Sequence, residues 1–171
     1  MKEKVLFFDI DGTLVDNTYG VHEVPAGVKR ELKRIQNDGH KLFICSGRPK
    51  AMINQQFLDL GFDGYVLYNG GYIEIAGESI FEERMDTELA TQTVDMLEEL
   101  NCDYMIETAH HIYIDKRYKE LYTFFKNLGM EEMFSMDFDR DDVLKRAIKI
   151  EANVTNKDKQ KVSDYLDGKF G

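Results

Sequence analysis

A short apolar run that ends in two closely spaced carboxylates constrains this chain more than any other feature. Residues 4–8, KVLFF, have the composition of a β-strand buried on both faces, and Asp9 and Asp11 follow in the stretch FFDIDGTL. Desolvating one carboxylate is costly, and two neighbouring carboxylates also repel each other. A cation between them removes this cost, and ligation by oxygen alone suits Mg²⁺. The sequence therefore predicts a Mg²⁺ site at the end of this strand.

Strand and helix patterns alternate in the first part of the chain. A helix is predicted from Pro25 to a stop at Gly39, and residues 41–45, KLFIC, form the second strand. A second helix is predicted over residues 49–61, and residues 65–68, YVLY, form the third strand. Short connections of this kind join parallel strands through right-handed crossovers. The pattern predicts an α/β fold with a Rossmann-like parallel sheet.

The pattern changes after the third strand. Residues 72–83 predict a hairpin that turns at Ala76-Gly77-Glu78, and a helix is expected with Asp86 as its N-cap. Further strands and helices are then predicted in residues 102–108, 110–115, 117–128, 147–154 and 157–166. We place a domain boundary near residue 82. Residues 1–82 are expected to form the α/β domain, and residues 83–171 an α+β domain with half-buried antiparallel strands.

Polar residues follow each of the three predicted parallel strands. Ligands of such sheets bind at the carboxyl ends of the strands. Asp9 and Asp11 follow the first strand, Ser46 the second and Asn69 the third. We therefore expect these four side chains to lie together.

The residues beside these strand ends suit an anion. Gly12 lets the backbone turn away, and its amide and Thr13 can face a phosphate. Ser46, Gly47 and the N-terminus of the next predicted helix offer a hydroxyl and further amides. A metal, an anion cradle and a carboxylate nucleophile together predict phosphoryl transfer through an aspartyl-phosphate.

These motifs resemble those of the haloacid dehalogenase superfamily. FFDIDGTL and, after the second strand, CSGRP carry the resemblance. Asn69-Gly70-Gly71 narrows it to the Cof-like, type II phosphatases, and the α+β pattern after residue 82 fits the type IIB group. The resemblance implies that Asp9 is the nucleophile and a Mg²⁺ ligand. It also implies that Asp11 acts first as acid and then as base, with its backbone carbonyl on the metal, and that Ser46 holds the phosphate.

Two candidate site residues each have two possible roles. The residues that select the substrate are expected to lie on a second domain. Arg48 would either contact the substrate phosphate or pair on the surface, and Asn69 would either line the site or form a turn with its glycines. By the resemblance, residues 83–171 form a type IIB cap, in which the polar strand face at Lys149 or the neighbouring Tyr113 would face either the substrate or solvent.

Two parts of the family pattern have no counterpart in this sequence. These are a lysine that screens the phosphate and a Gly-Asp-x-x-Asn-Asp stretch that completes the Mg²⁺ site, so the chain is expected to stop inside the cap. The first strand would then be an exposed edge that favours self-association. The leading hypothesis is a Mg²⁺-dependent phosphatase of a small, sugar phosphate-like monoester. The alternatives are a phosphosugar mutase and a non-catalytic fragment with residual phosphate affinity.

Net charge and the cysteine and histidine residues further limit the classes of partner and metal site. A net charge of −10 argues against nucleic acid or an anionic membrane as a partner. Cys45 and Cys102 lack metal-site spacing and are expected to be buried or unreactive thiols in a reducing, cytoplasmic compartment. Adjacent residues on a strand point in opposite directions, so His110 and His111 are expected to be a surface pair.

Overall fold

The computed structural model describes residues 2–127 and 130–170. The chain divides into two compact units, Met1–Glu83 and Arg84–Gly171, each with its own sheet. The first unit contains β1 (Val5–Phe8), α1 (Ala26–Asn37), β2 (Lys41–Cys45), α2 (Gln55–Leu58), β3 (Gly64–Leu67), β4 (Tyr72–Ile75) and β5 (Glu78–Glu82). The second contains α3 (Thr87–Glu99), β6 (Asp103–Glu107), β7 (Ile112–Ile114), α4 (Lys119–Asn127), β8 (Phe134–Ser135), α5 (Arg140–Leu144), β9 (Lys149–Asn153) and α6 (Lys159–Phe170).

The first unit is built on the three predicted strands. β1, β2 and β3 lie side by side and run parallel, and the hairpin of β4 and β5 continues the sheet in antiparallel fashion. α1 follows Pro25, buries Leu32 and ends just before Gly39, whose φ is 84°. The hairpin turns at Ala76 and Gly77, both at positive φ. The predicted Rossmann-like α/β class is confirmed.

The second predicted helix is largely wrong. Lys50–Met52 form a 3-10 turn, Ile53 is extended with φ −84° and ψ 91°, and only α2 is helical. Ile53 is nevertheless almost fully buried, so its apolar character reflects packing of an irregular segment. The third strand also ends one residue earlier than predicted, because Tyr68 is already in a turn at φ 54°.

One face of the first sheet is apolar and uncovered. The register places the fully buried Leu42 and Ile44 on the face opposite to Val5 and Phe7. β1 lies at the edge of the sheet, and Val5 and Phe7 are 54% and 59% exposed. The expectation that this strand is buried on both faces is therefore wrong. Among the described residues, no strand pairs with its outer edge and no layer covers these two side chains.

The second unit is an α+β arrangement around a four-stranded sheet within the described ranges. The strand order is β8-β7-β6-β9, with β6 antiparallel to both of its neighbours and β8 parallel to β7. Asp86 caps α3 as predicted, because its side chain accepts a hydrogen bond from the Leu89 amide at 2.9 Å. β8 and α5 were not predicted, and the predicted end of the fourth helix at Leu128 lies outside the described residues.

The central strands of this sheet are buried on both faces. All residues of β7 and nearly all of β6 are buried, so the expected half-buried alternation is wrong for these two strands. His110 and His111 are exposed, as predicted. Cys102 is buried beside this sheet, whereas Cys45 at the end of β2 is exposed, and both are free thiols. No helix among the described residues has the length and apolarity needed to cross a membrane.

Candidate active site

The loop after β1 presents two carboxylates on either side of a core residue. Ile10 is fully buried, whereas Asp9 and Asp11 are exposed. The Ile10 carbonyl accepts hydrogen bonds from the amides of Thr13, Leu14 and Val15 at 3.0–3.2 Å, which winds the loop tightly around it. The Ile10 amide donates to Asp9 Oδ1 at 2.8 Å and fixes that carboxylate. The loop therefore holds both acidic groups at the carboxyl end of β1.

Two predicted phosphate ligands in this loop use their amides internally. Gly12 turns the backbone at φ 81°, but its amide donates to the Val15 carbonyl at 2.8 Å. The Thr13 amide donates to Ile10, so neither amide is directed to an anion in this conformation. Phosphate binding by Gly12 and Thr13 stays a prediction.

The ends of β2 and β3 meet at Ser46, Gly47 and Asn69. Ser46 is buried, its amide donates to the Val66 carbonyl at 2.9 Å, and its carbonyl accepts from the Asn69 amide at 3.4 Å. Asn69 has a left-handed φ of 56°, and its Oδ1 lies 2.6 Å from where a Cβ on Gly47 would be. A Cβ at residue 47 would therefore displace the Asn69 side chain from its present position.

Arg48 joins this pair of strand ends to the end of β1. Its Nε and Nη2 donate to Asp11 Oδ2 and Oδ1 at 2.8 and 2.7 Å, a two-pronged ion pair. The Arg48 amide donates to Ser46 Oγ at 3.2 Å. Asp11, Ser46 and Asn69 are thus brought together, three of the four residues expected to lie together. Among the described residues, no side-chain hydrogen bond or ion pair joins Asp9 to them. The predicted helix N-terminus beside Ser46 is absent, because a 3-10 turn begins at Lys50 instead.

The metal ligands predicted at this site fit Mg²⁺ only in part. Within the residues that the structure describes, no three His, Cys, Asp or Glu side chains are grouped closely enough to hold a metal ion. Asp9 is exposed, and the hydrogen bond from Ile10 engages only Oδ1. The Asp9 carboxylate and the Asp11 carbonyl are oxygen donors of the kind that Mg²⁺ accepts alongside water and phosphate oxygens. The donor set therefore supplies part of a Mg²⁺ coordination shell.

Two ion pairs near the sheets were missed by sequence reasoning. In the first unit Glu74 is buried, pairs with Lys50 and accepts a hydrogen bond from the Tyr72 hydroxyl at 3.0 Å. Burial lowers the pKa of Lys50, but pairing with Glu74 more than offsets this and leaves the pKa raised. The signal was present, since a glutamate on a strand of apolar residues needs a partner when it is buried.

The second missed pair lies in the second unit. Glu107 has no exposed surface, and neither carboxylate oxygen has a hydrogen-bond partner in the described part of the chain. Lys149 Nζ lies 3.6 Å from Glu107 Oε2 but 2.9 Å from Glu151 Oε2. Burial raises the pKa of Glu107 from its ordinary 4.5 to about 7, and the attraction of Lys149 only moderates this.

Known proteins are similar to this chain in sequence and in fold. YkrA of Bacillus subtilis strain 168, which is itself only provisionally named a phosphatase, is 30% identical over 82 residues, covering 48% of this chain and 31% of YkrA. The phosphatase YwpJ of the same organism is 27% identical over 120 residues, covering 69% of this chain and 41% of YwpJ. The matched segment thus spans less than half the length of these relatives.

Solved structures give the same picture at lower identity. The sugar phosphatase BT4131, of HAD subclass IIB, superposes with a TM-score of 0.76 at 24% identity over 95% of this chain and 63% of its own. The phosphatase BT1666 of Bacteroides thetaiotaomicron has a TM-score of 0.76 at 19% identity over 96% of this chain and 61% of its own. At these identities the likeness shows a shared fold. The sequence model of the haloacid dehalogenase-like hydrolases matches residues 6–171, so the chain belongs to that family.

Proposed function

We propose that this protein hydrolyses a small phosphomonoester through a phosphorylated Asp9. The observation that carries the proposal is the meeting of three strand ends, where exposed Asp9 and Asp11 flank Ile10 and Arg48 joins Asp11 to Ser46. Carboxylates, a hydroxyl and a guanidinium are the groups that phosphoryl transfer requires in one place. Family membership and the phosphatase names of relatives agree with this reaction class.

Each side chain has a role in this scheme. Asp9 forms an oxygen–phosphorus bond as the ester oxygen leaves, and Asp11 gives that leaving oxygen a proton. Water then attacks phosphorus while Asp11 takes its proton, the bond to Asp9 breaks, and the free carboxylate returns. The Ile10 amide on Oδ1 holds the Asp9 carboxylate in one orientation during both steps. Ser46 and Arg48 bind the phosphoryl oxygens.

Mg²⁺ is the cofactor that this donor set suits. The Asp9 carboxylate and the Asp11 carbonyl would hold it, and when bound it neutralises charge on the phosphoryl oxygens. The absence of a third nearby carboxylate in the described residues supports a second candidate, a phosphate-binding chain with little turnover. A sugar phosphate-like substrate is proposed because the structurally similar BT4131 is described as a sugar phosphatase. A cytoplasmic location stays a prediction from the sequence.

The test is phosphate release from a panel of phosphomonoesters with and without Mg²⁺. We expect Asp9→Asn to abolish release, and Asp59→Asn to leave it unchanged because Asp59 is exposed at the end of α2 and its side chain accepts a hydrogen bond from Gln55 in the same turn. Equal phosphate release by wild type and Asp9→Asn would overturn the assignment of Asp9 as the nucleophile. Phosphate binding without release would favour the second candidate.

We also propose that the chain self-associates through the uncovered face and edge of the first sheet. A second copy is the proposed occupant, because an unpaired β1 edge next to exposed Val5 and Phe7 offers both a ladder and apolar area to a like surface. Phe7 and Phe124 are both 59% exposed, so Phe7→Asp and Phe124→Asp form a matched pair. Light scattering of the wild type should detect a species larger than the monomer. Phe7→Asp should convert this species to monomer, and Phe124→Asp should not. A monomeric wild type at high concentration would contradict the proposal.

A further inference from the structure

Arg48 engages both oxygens of Asp11, the carboxylate assigned above to proton transfer. The two donor–acceptor distances are 2.8 and 2.7 Å, the geometry of a fork on a carboxylate. The residues are 37 positions apart in sequence, so the contact depends on the fold and not on local chain geometry. In this state Asp11 is held by the same cation that is expected to bind phosphate.

The two partners differ in how firmly they are held. Arg48 is 19% exposed, its Nη1 donates to the Met52 carbonyl at 3.4 Å, and its guanidinium lies 5.7 Å from the centre of the Phe57 ring. Asp11 is 53% exposed and is followed by Gly12 at positive φ. Arg48 is therefore the fixed partner of this ion pair, and Asp11 is the partner with freedom to move.

The fixed partner also lies beside the predicted phosphate position. The Arg48 amide donates to Ser46 Oγ, so the backbone of Arg48 and the hydroxyl assigned to phosphate are in direct contact. A phosphoryl group bound at Ser46 that reaches the Arg48 guanidinium would meet a fork already engaged by Asp11. Two anions would then compete for one fork, and a phosphate monoester carries more charge than a carboxylate.

We propose that the Asp11–Arg48 ion pair forms in the substrate-free state and is broken when the phosphoryl group of the substrate binds. We call this ion pair the latch. Phosphate takes the Arg48 fork, and the released Asp11 carboxylate takes up a proton from water and then faces the leaving oxygen. This deepens the proposed function and rests on it. An ion pair exposed to this degree is weak, so a bound phosphate displaces it readily. Asp11 is thus freed for proton transfer only when a phosphoryl group occupies the site.

The latch makes a prediction that simple phosphate binding does not. While Asp11 holds Arg48, only a fraction of the molecules can bind phosphate, and the apparent dissociation constant equals the intrinsic constant divided by that fraction. Asp11→Asn removes the competing charge at nearly constant shape and should tighten binding of inorganic phosphate about two- to fivefold, the range that a weak exposed pair allows. Arg48→Met should weaken binding, and in that background Asp11→Asn should give no further gain.

The experiment is a double-mutant cycle on the full chain with inorganic phosphate as the probe. Binding is followed by NMR through the amides of Ser46 and Gly47, and the Arg48 Nε–H resonance reports the fork directly. We expect this resonance to shift when phosphate is added, because phosphate replaces the Asp11 carboxylate as its acceptor, and to shift differently when Asp11→Asn removes the anionic acceptor. Arg48→Lys keeps the charge but loses the fork, so it should retain phosphate binding and lose most of the Asp11→Asn gain.

The outcomes separate the latch from the proposed function. Tightening by Asp11→Asn that persists in Arg48→Met would reflect lost charge alone and would overturn the latch while leaving a phosphate site. Binding that is unchanged or weaker in Asp11→Asn would also overturn it. If phosphate moved no amide near Ser46 in any variant, the phosphate site of the proposed function would fail, and the latch with it.

Discussion

Glu107 offers a quantitative test of the second unit. A pKa raised by burial from 4.5 to about 7 means that the folded protein binds this proton more tightly than the unfolded chain does. The contribution to stability is therefore full below pH 4.5, declines as the pH rises, and is lost above about pH 7. A rise of this size corresponds to about 3 kcal/mol of unfolding free energy. Glu107→Gln imitates the neutral carboxyl group and should remove this loss of stability at high pH.

The assay is chemical unfolding of wild type and variant at pH 5 and pH 8. We expect the two proteins to be about equally stable at pH 5, and Glu107→Gln to be more stable by about 3 kcal/mol at pH 8. Glu151→Gln is the matched control, because Glu151 also pairs with Lys149 but its side chain is 52% exposed. Because this variant keeps Glu107, its stability should fall between pH 5 and pH 8 much as that of wild type does. Parallel stability profiles for wild type and Glu107→Gln would refute the assignment of a desolvated, weakly paired carboxylate.

The remaining predictions concern the first sheet. Gly64→Ala should destabilise the protein by about 3 kcal/mol or more in thermal or chemical unfolding, because the new Cβ would lie 2.4 Å from the Glu74 carbonyl and 2.5 Å from the Phe43 ring. A loss below 1 kcal/mol would mean that β3 and β4 are not paired as described. Burial raises the pKa of Asp63, but bonds from Lys41 and the Leu42 amide more than offset it and hold the pKa below its ordinary 3.8. Asp63→Asn should thus cost about 1–2 kcal/mol at pH 7, a difference that shrinks as the pH falls below 3.8, and equal costs at pH 7 and pH 3 would contradict this.

Much of the fold was predictable because its signals are local. The apolar runs of β1 and β2, Pro25 before α1 and the Asp86 cap of α3 each specify their element within a few residues. The exposed edge of β1 was expected from the family resemblance and is not encoded in the residues of β1 itself, because exposure depends on which strands lie beside it. The short α2 was missed because Ile53 is extended yet buried, and apolar spacing alone does not distinguish that from a helix.

Part of the candidate site was also predictable from the sequence, and part was not. Strand ends in a parallel sheet meet by topology, so the grouping of Asp11, Ser46 and Asn69 followed from the strand assignments. The choice between the two roles of Arg48 did not, because its partner Asp11 lies on another strand end. The amides of Gly12 and Thr13 are taken up by carbonyls of their own loop, a detail that sequence spacing does not encode.

The most direct test is the chemical state of Asp9 during turnover. The chain is mixed with a reactive phosphate ester and Mg²⁺, quenched with hydroxylamine, which converts an acyl phosphate to a hydroxamate, and mapped by peptide mass spectrometry. The account predicts a hydroxamate on Asp9 that requires both the ester and Mg²⁺ and is lost in Asp9→Asn. Hydrolysis of the ester with Asp9 unmodified, or with the label on a different side chain, would contradict it.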